Sequence, residues 1–335
     1  MMIFCTLFDS NYLDKGLALW QSLQKVSSEY RLYIFCFDDK SFEVLNDMKL
    51  QNIVAIHHSQ IETEELLNLK KERSKAEYCW TCTPVIVEYV LDKYNESNCT
   101  YIDADMFFFS NPQILYDEIA DAKANVVITE HRFKNDVSGR RWLRKSGKYC
   151  VEFNYFDKSE NATEALRWWK EKCFEWCFAL YEPDRMGDQK YLEKFPVLFN
   201  GVHELQHLGG GVAPWNLKQY VLAKADGTDI ILKKKNESRM EFPLVFYHFQ
   251  NVKYLSHTKV NINSGTKDKK VKMAIYKPYL RAIEENRELL KQKYGIEFAV
   301  NKSYSSNKLK AFIQKYVMKF KVKSLSDIVS LDRGL

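Results

Sequence analysis

Two carboxylates close an apolar segment at Asp103-Ala104-Asp105. Side chains of an extended chain alternate between faces, so both carboxylates point to one side and Ala104 to the other. Paired carboxylates repel each other and need a counter-charge, which Mg²⁺ or Mn²⁺ supplies, usually together with substrate phosphates. The alternative is a strand-end turn with two solvated aspartates. Aliphatic residues before the pair and three phenylalanines after it favour a metal site that binds a diphosphate.

Three further polar residues are candidates for the same site. His248 follows a late apolar run and would complete an Asp/Asp/His ligand set, in which case Lys253 could contact a phosphate. A histidine at a strand end is more often an ordinary surface or packed residue, so this interpretation depends on the aspartate pair. Glu152 could bind an acceptor or act as a general base, but a strand-face glutamate paired with a lysine is more common, and we favour that role.

The chain that leads to the aspartates alternates between strand and helix patterns. These segments follow one another at 2–8, 13–23, 31–37, 41–49 and 53–56. The alternation predicts an α/β fold with a mostly parallel sheet covered by helices. Ligands of such sheets bind at the carboxyl ends of the strands. Asp9, Asp38 and Asp39 are therefore also candidate ligand contacts.

The later segments are less regular. We predict a helix over 83–94 with Pro84 near its start, a surface loop over 131–148, a helix over 162–180 and a strand over 244–246. Three glycines at 209–211 permit a close approach of the backbone to a ligand, and Trp215 is either a sugar-stacking platform or a core residue. We divide the chain into a catalytic domain at 1–262 and a basic helical extension at 263–335.

The order of these features resembles that of GT-A-fold glycosyltransferases of the family 8 type, which includes glycogenin and lipopolysaccharide galactosyltransferases. The shared order is a first strand, Asp9, Tyr12, the DxD motif at 103–105, Asp188-Gln189 and then His248. A nearer likeness is to bacterial proteins classed as sugar transferases, which carry similar stretches at 77–81, 149–154, 187–192 and 211–216. The resemblance covers roughly residues 2–255 and implies a GT-A fold.

The resemblance also implies roles for individual residues. Thr6 and Asp9 would lie near the uracil of a nucleotide, and the ring of Tyr12 would stack on it. Asp103, Asp105 and His248 would bind Mn²⁺ or Mg²⁺, with Asp103 also near the ribose. Asp188 and Gln189 would adjoin the donor sugar as catalytic residues.

Four departures from the family pattern leave the donor sugar and the stereochemical outcome open. After His248, Asn251 stands where the family has a glycine, and Lys253 comes one residue early. Lys190 stands where a further Asp is usual, and Cys150-Val151-Glu152 replaces an Asn-Ala-Gly segment. The arginine that normally precedes the DxD motif has only Lys75 or Arg73 as a counterpart. The resemblance alone favours retention of configuration.

The leading hypothesis is a metal-dependent glycosyltransferase. Its donor would be a nucleotide-diphosphate sugar, with UDP favoured, and its acceptor a glycan or lipid-linked saccharide of bacterial surface polysaccharide or lipopolysaccharide synthesis. A phosphohydrolase of the haloacid-dehalogenase type is a second hypothesis, but it needs Thr or Ser where this chain has Phe107. A nucleotide-sugar-binding protein without turnover is the third.

Positive charge is concentrated at the C-terminal end. Residues 266–335 hold 17 Lys and Arg against 7 Asp and Glu, whereas the whole chain has a net charge of +6. Within this part, 307–323 has the pattern of a basic amphipathic helix, which would bind an anionic membrane surface or dock on the catalytic body. Nucleic acid is not an expected partner. The chain shows no signal-peptide pattern, so we expect a cytoplasmic protein, peripheral on the inner face of the membrane if the helix binds lipid.

The eight cysteines lie mostly in apolar patterns. A zinc site could be formed by Cys79, Cys82, Cys173 and Cys177, but no histidine lies at the spacing usual for such sites. We therefore expect reduced thiols that pack in the core.

Overall fold

A computed structural model describes residues 1–227, 229–235, 240–300 and 327–331. The strands are β1 (Met2–Phe8), β2 (Tyr30–Cys36), β3 (Ile53–His57), β4 (Asn98–Ile102), β5 (Met106–Phe108), β6 (Val126–Glu130), β7 (Tyr149–Asp157), β8 (Val202–Glu204), β9 (Tyr220–Asp226), β10 (Asp229–Lys234), β11 (Glu241–Pro243), β12 (Phe246–His248), β13 (Lys253–Ser256), β14 (Lys259–Asn261) and β15 (Ile328–Ser330). The helices are α1 (Leu13–Val26), α2 (Asp39–Met48), α3 (Glu64–Glu72), α4 (Lys75–Lys93), α5 (Gln113–Asp121), α6 (Val137–Ser146), α7 (Glu160–Glu175), α8 (Phe195–Leu198) and α9 (Lys269–Tyr294).

A mostly parallel sheet of seven strands forms the centre of the molecule, in the order β3-β2-β1-β4-β7-β6-β8. Strands β3, β2, β1 and β4 run parallel, and β7 runs antiparallel to both β4 and β6. Three small sheets lie beside it, one of them the antiparallel pair β5–β12. The predicted α/β class and the initial strand–helix alternation are confirmed.

Alternate residues of β1 face two separate cores. Cys5 packs in one core with Ile86 of α4 and Trp169 of α7, whereas Phe4 packs in another with Leu17 of α1. Every residue of β1 is buried, which explains its continuous apolar run. In α/β proteins, strands covered on both faces have continuous apolar sequences of this kind. The helices therefore hold the carboxyl ends of β1 and β4 in fixed positions.

Several predicted boundaries were wrong. Helix α4 begins at Lys75, so Pro84 lies inside it, because a capping box formed by Ser74 and Glu77 starts the helix eight residues before the predicted start. The predicted helix over 162–180 ends at Glu175. Strand β12 ends at His248, so the histidine is part of the strand and does not follow it.

The predicted surface loop over 131–148 was also wrong, since most of it forms α6. The side chain of Asp136 accepts a hydrogen bond from the Gly139 amide at 2.8 Å and so caps this helix. A cap of this kind satisfies a backbone donor that has no partner inside the helix. The helix has no broad apolar stripe, which is why its sequence reads as a loop.

All eight cysteines are free thiols, and seven are buried, as expected for core residues. Of the residues that the structure describes, the only cysteine in a group with metal-ligand geometry is Cys150. No helix in this part of the chain combines the length and apolar character needed to cross a bilayer. The amphipathic helix predicted at 307–323 lies outside the described residues.

The described part of the C-terminal extension packs against the N-terminal helix. Arg287 of α9 donates to the carboxylate of Asp14 at 2.7 Å, and Asn286 donates to the backbone carbonyl of Asp14 at 3.0 Å. The Asp14 carboxylate is almost fully buried, and burial raises its pKa above the ordinary value although Arg287 opposes this. A buried charge of this kind depends on its partner.

Replacing Arg287 by Met should destabilise the protein by about 3 kcal/mol, because the buried Asp14 carboxylate loses its counter-charge. Urea unfolding followed by circular dichroism measures this loss. Lys293→Met is the matched control, since Lys293 pairs with Asp47 on the surface and exposed pairs contribute little. Equal unfolding midpoints for the two variants would contradict the expected role of the Asp14–Arg287 pair.

Candidate active site

The aspartate pair lies at the carboxyl edge of the central sheet. Strand β4 ends at Ile102, and Asp103 to Asp105 form the turn into β5, closed by a bond from the Met106 amide to the Asp103 carbonyl. The hydroxyl of Tyr101 donates to Asp103 Oδ1 at 2.8 Å. Because β4 lies between β1 and β7, both carboxylates are close to the middle of the sheet edge.

His248 reaches the aspartates from the small sheet. The antiparallel register of β12 and β5 pairs His248 with Met106, directly after the DxD turn. The histidine Nε2 atom lies 3.1 Å from Asp105 Oδ1 and 3.5 Å from Asp103 Oδ2. One atom from each of the three side chains lies within 4.8 Å of the others. The fold thus brings together three residues that the sequence separates by up to 145 positions.

Glu152 holds the opposite side of the same imidazole. Its Oε2 atom lies 2.8 Å from His248 Nδ1, and its side chain is fully buried in β7. The predicted lysine partner was therefore wrong, since the glutamate pairs with a histidine. This contact directs Nε2 of His248 toward the aspartates, in the manner of carboxylates that orient metal-binding histidines.

Gly211 leaves room for the Glu152 carboxylate. A Cβ atom at Gly211 would lie 3.3 Å from Glu152 Oε1 and 2.8 Å from a methyl group of Thr129. The backbone of Gly211 has a φ of +91°, which side chains rarely tolerate. All three glycines at 209–211 permit close approaches within the protein itself, since a Cβ atom at Gly209 would lie 1.9 Å from the Pro243 carbonyl oxygen and one at Gly210 would lie 2.7 Å from the Leu205 side chain.

Arg132 fixes the glycine loop. Its guanidinium donates to the carbonyl oxygens of Leu205 and Gly210 at 2.7 and 2.6 Å, and more weakly to those of His207 and Leu208. Trp215, just after the loop, contacts the His248 ring edge-on with centroids 5.3 Å apart, so it is a wall of the site.

The electrostatics of the cluster favour a bound cation. Burial alone would lower the pKa of His248, but the Asp105 and Glu152 carboxylates raise it well above the ordinary value. Burial raises the pKa of Asp103, whereas His248 outweighs burial at Asp105 and lowers its pKa. Three carboxylates thus surround one imidazole. Two carboxylates and an imidazole are a donor set that fits Mn²⁺ and Mg²⁺, and Glu152 supplies the outer contact.

Asp188 lies close to this cluster. It is buried, and its Oδ2 atom has no hydrogen-bond partner among the described residues. Burial and the charge of Asp103 raise the pKa of Asp188 to about 8. The neighbouring Gln189 turns its amide toward the end of α6, where Nε2 donates to the Ser146 carbonyl at 2.5 Å.

The loop after β1 holds two of the predicted nucleotide-binding residues. Asp9 accepts a bond from the Asn11 amide at 3.0 Å and forms an ion pair with Lys75. The ring of Tyr12 is part-exposed, and the ammonium of Lys15 lies 3.5 Å from its centroid. The charge of Asp105 raises the pKa of the Tyr12 hydroxyl, which places this ring near the DxD turn.

Two other predicted contacts are placed differently. Thr6 is fully buried inside β1, and its hydroxyl has no partner in the described chain. Lys253 is exposed on β13, and no bond or ion pair within the described residues joins it to the aspartates or to His248. Neither position brings a side chain into the cluster.

Sequence reasoning missed two polar residues of the site and the bracing role of a third. Asn154 is fully buried on β7, opposite Tyr101, and both atoms of its amide lack partners among the described residues. Tyr101 itself binds Asp103. Asp38, predicted as a ligand contact, instead accepts bonds from the Ser10 amide and hydroxyl and so braces the loop after β1. The two-residue spacing of Asn154 from Glu152 was the available signal.

Comparison with known proteins identifies the fold. The structure of the galactosyltransferase LgtC, in complex with donor and acceptor sugar analogs, aligns with 85% of this chain and 96% of its own length, with a TM-score of 0.51 and 12% identity. The fold is therefore of the GT-A glycosyltransferase type, as the sequence motifs predicted.

The chain also has relatives at the sequence level. It belongs to the family of the uncharacterized protein YfnF of Bacillus subtilis (strain 168), to which it is 30% identical over 263 residues, or 77% of this chain and 84% of that protein. The uncharacterized protein YfnD of the same organism is 29% identical over 282 residues, covering 83% of this chain and 87% of its own. No family model matches the chain.

Replacing Glu152 by Gln should weaken Mn²⁺ binding by about 10- to 100-fold, because a neutral amide orients His248 less firmly and lowers its basicity. Isothermal titration calorimetry of the purified protein measures the affinity. Glu204→Gln is the matched control, since Glu204 binds Lys148 and Tyr149 instead of His248. Equal Mn²⁺ affinities for the two variants would show that Glu152 does not support a metal ligand.

Proposed function

We propose that the protein is a metal-dependent glycosyltransferase that moves a sugar from a UDP-sugar to a glycan or lipid-linked saccharide. The observation that carries this proposal is the cluster of Asp103, Asp105 and His248 at the carboxyl edge of a GT-A sheet. Support also comes from the order of motifs in the sequence. The pathway we assign is synthesis of a bacterial surface polysaccharide or lipopolysaccharide, in the cytoplasm at the membrane face.

The three clustered side chains would hold Mn²⁺ or Mg²⁺. Such an ion, when bound, neutralises the charge that develops on a departing diphosphate. Glu152 acts through His248, as a positioning residue: it is fully buried and its hydrogen-bonded oxygen faces the imidazole. We prefer this role to that of a general base, which must reach the proton of the attacking hydroxyl.

The nucleotide would lie over the loop after β1. Lys15 covers one face of the Tyr12 ring, so a uracil base would stack on the other face. Asp9 and Asp38 hold the loop through bonds to Asn11 and Ser10. In this proposal Thr6 lies beneath the base. Lys253 contacts a phosphate of the donor when the donor binds beside β13.

The donor sugar would lie between Asp188 and β7. Oδ2 of Asp188, Oε1 of Glu152 and the amide of Asn154 are buried polar atoms without partners in the described chain. Such atoms are rare in proteins and call for a polar partner, and sugar hydroxyls are of that kind. Asp188 and Gln189 would position the sugar, with retention of configuration as the expected outcome.

The phosphohydrolase alternative has less support. That chemistry requires a hydroxyl two residues after the second aspartate, where this chain places Phe107, a buried aromatic residue in β5. The complete set of Asp103, Asp105 and His248 argues against a protein that binds nucleotide-sugars without turnover. Measuring turnover separates the two.

Release of UDP from a panel of UDP-sugars tests the proposal. We expect turnover with Mn²⁺, loss of turnover with EDTA, and a fall of about 100-fold or more for Asp105→Asn, since metal stabilisation is worth several kcal/mol. Asp121→Asn is the matched control, because Asp121 is an exposed aspartate at the end of α5 and belongs to none of the predicted sites. Donor binding without UDP release would favour the binding protein, and hydrolysis of simple phosphomonoesters would favour the phosphohydrolase.

Asp188→Asn should lower kcat by about 100-fold while changing the KM for the donor little, because the side chain positions the sugar for the reaction and misplacement is felt most in the transition state. Steady-state kinetics with the best donor measures both constants. Asp184→Asn, an exposed aspartate four residues earlier, should match the unmodified protein. A rise in KM with kcat unchanged would assign Asp188 to ground-state binding alone.

A further inference from the structure

Helix α6 and the segment that touches it carry an unusual number of exposed large apolar side chains. Their exposed fractions lie between 42% and 77%, and they are Val137, Trp142, Leu143, Leu180 and Tyr181. We call these residues and the cations among them the α6 surface. Exposed large apolar side chains concentrated in one region of a folded protein mark sites of association.

The cations of the α6 surface are Arg140, Arg141, Arg144 and Lys145. The ammonium of Lys145 lies 4.7 Å from the centroid of the Tyr181 ring and 6.0 Å from that of Trp142, which joins the helix and the later segment into one surface. Residues 131–148 contain seven basic side chains and one acidic side chain. That acidic residue, Asp136, is already paired with Lys218 at 3.0 Å.

The α6 surface adjoins the candidate active site. The last turn of α6 accepts a hydrogen bond from Gln189 at Ser146, and Lys190 donates to the carbonyls of Arg144 and Glu182 at 2.9 and 2.8 Å. Asp188 directly precedes Gln189 in the chain. The surface and the carboxylate cluster are thus connected through two consecutive side chains.

Guanidinium groups mixed with aliphatic and indole side chains are the composition of a helix that lies in a membrane interface. The cations bind anionic headgroups and the apolar side chains enter the acyl boundary. A nucleic acid would pair with the arginines but would leave Val137, Leu143 and Leu180 against water. The charge and the apolar content together therefore fit an anionic bilayer best.

We propose that the α6 surface docks the protein on anionic lipid and holds the mouth of the site at the membrane interface. The docking does not depend on the reaction. Its consequence rests on the proposed function: the acceptor would be a lipid-linked saccharide that approaches from the membrane, past Gln189, without leaving the bilayer.

Co-sedimentation of the full chain with phosphatidylglycerol-containing vesicles tests the docking. Changing Arg140, Arg141, Arg144 and Lys145 together to Gln should weaken binding by about 100-fold or more, because each cation near an anionic surface adds to the affinity. W142S/L143S should weaken the binding that persists at high salt. The matched control changes four exposed lysines of α9, Lys269, Lys270, Lys291 and Lys293, to Gln and should bind like the unmodified protein.

Two results would overturn the docking proposal. One is unchanged vesicle binding by the α6 variants with loss of binding by K308Q/K310Q/K315Q/K319Q, which would assign the membrane contact to the C-terminal tail. The other is equal binding to neutral phosphatidylcholine vesicles. UDP release measured without lipid keeps the two proposals separate: vesicle binding without turnover would refute the transferase and leave the docking surface standing.

Discussion

The rest of the site depends on one imidazole held from both sides. His248 lies between the buried Glu152 carboxylate and the Asp103–Asp105 pair, at distances of 2.8 to 3.5 Å. Glu152 lies in β7, the aspartates form the turn after β4, and His248 ends β12, so the three strands must meet for the contact to form. Three carboxylates around one ring carry more negative charge than the ring can balance, and a bound cation would neutralise that excess.

Much of the fold could be predicted because buried parallel strands leave continuous apolar runs, as β1 does. Strand β7 could not be predicted so easily, since the buried polar residues Glu152 and Asn154 interrupt its apolar character, and the partner of Glu152 lies far along the chain. Helix α6 was hard to predict for the opposite reason. Most of its residues are exposed, so its sequence has no apolar stripe, and only the Asp136 cap indicates where the helix begins.

The part of the candidate site that depends on residue spacing along one segment could be predicted. The part that depends on contacts between strands was harder to predict. The aspartate pair and His248 were predicted to lie together, and they do, but the contact of Glu152 was not predicted, because its charge is balanced by a histidine 96 positions away. Neither Asn154 nor Arg132 could be assigned, since one faces the cluster across the sheet and the other acts only through backbone carbonyls. The resemblance predicted the order of the motifs along the chain. The positions of their side chains relative to one another follow from packing between strands.

The contact between α1 and α9 bears on how the protein is made. Asp14, two residues beyond Tyr12, is held by Arg287 across a separation of 273 positions. During synthesis, domains fold as the chain emerges, from the N-terminal end. The loop after β1 is therefore synthesised early. The contact between Asp14 and Arg287 can form only after α9 has left the ribosome. Until then an aspartate without its counter-ion would lie beside that loop, and a nascent chain would lack the contact that holds the start of α1 in its final place.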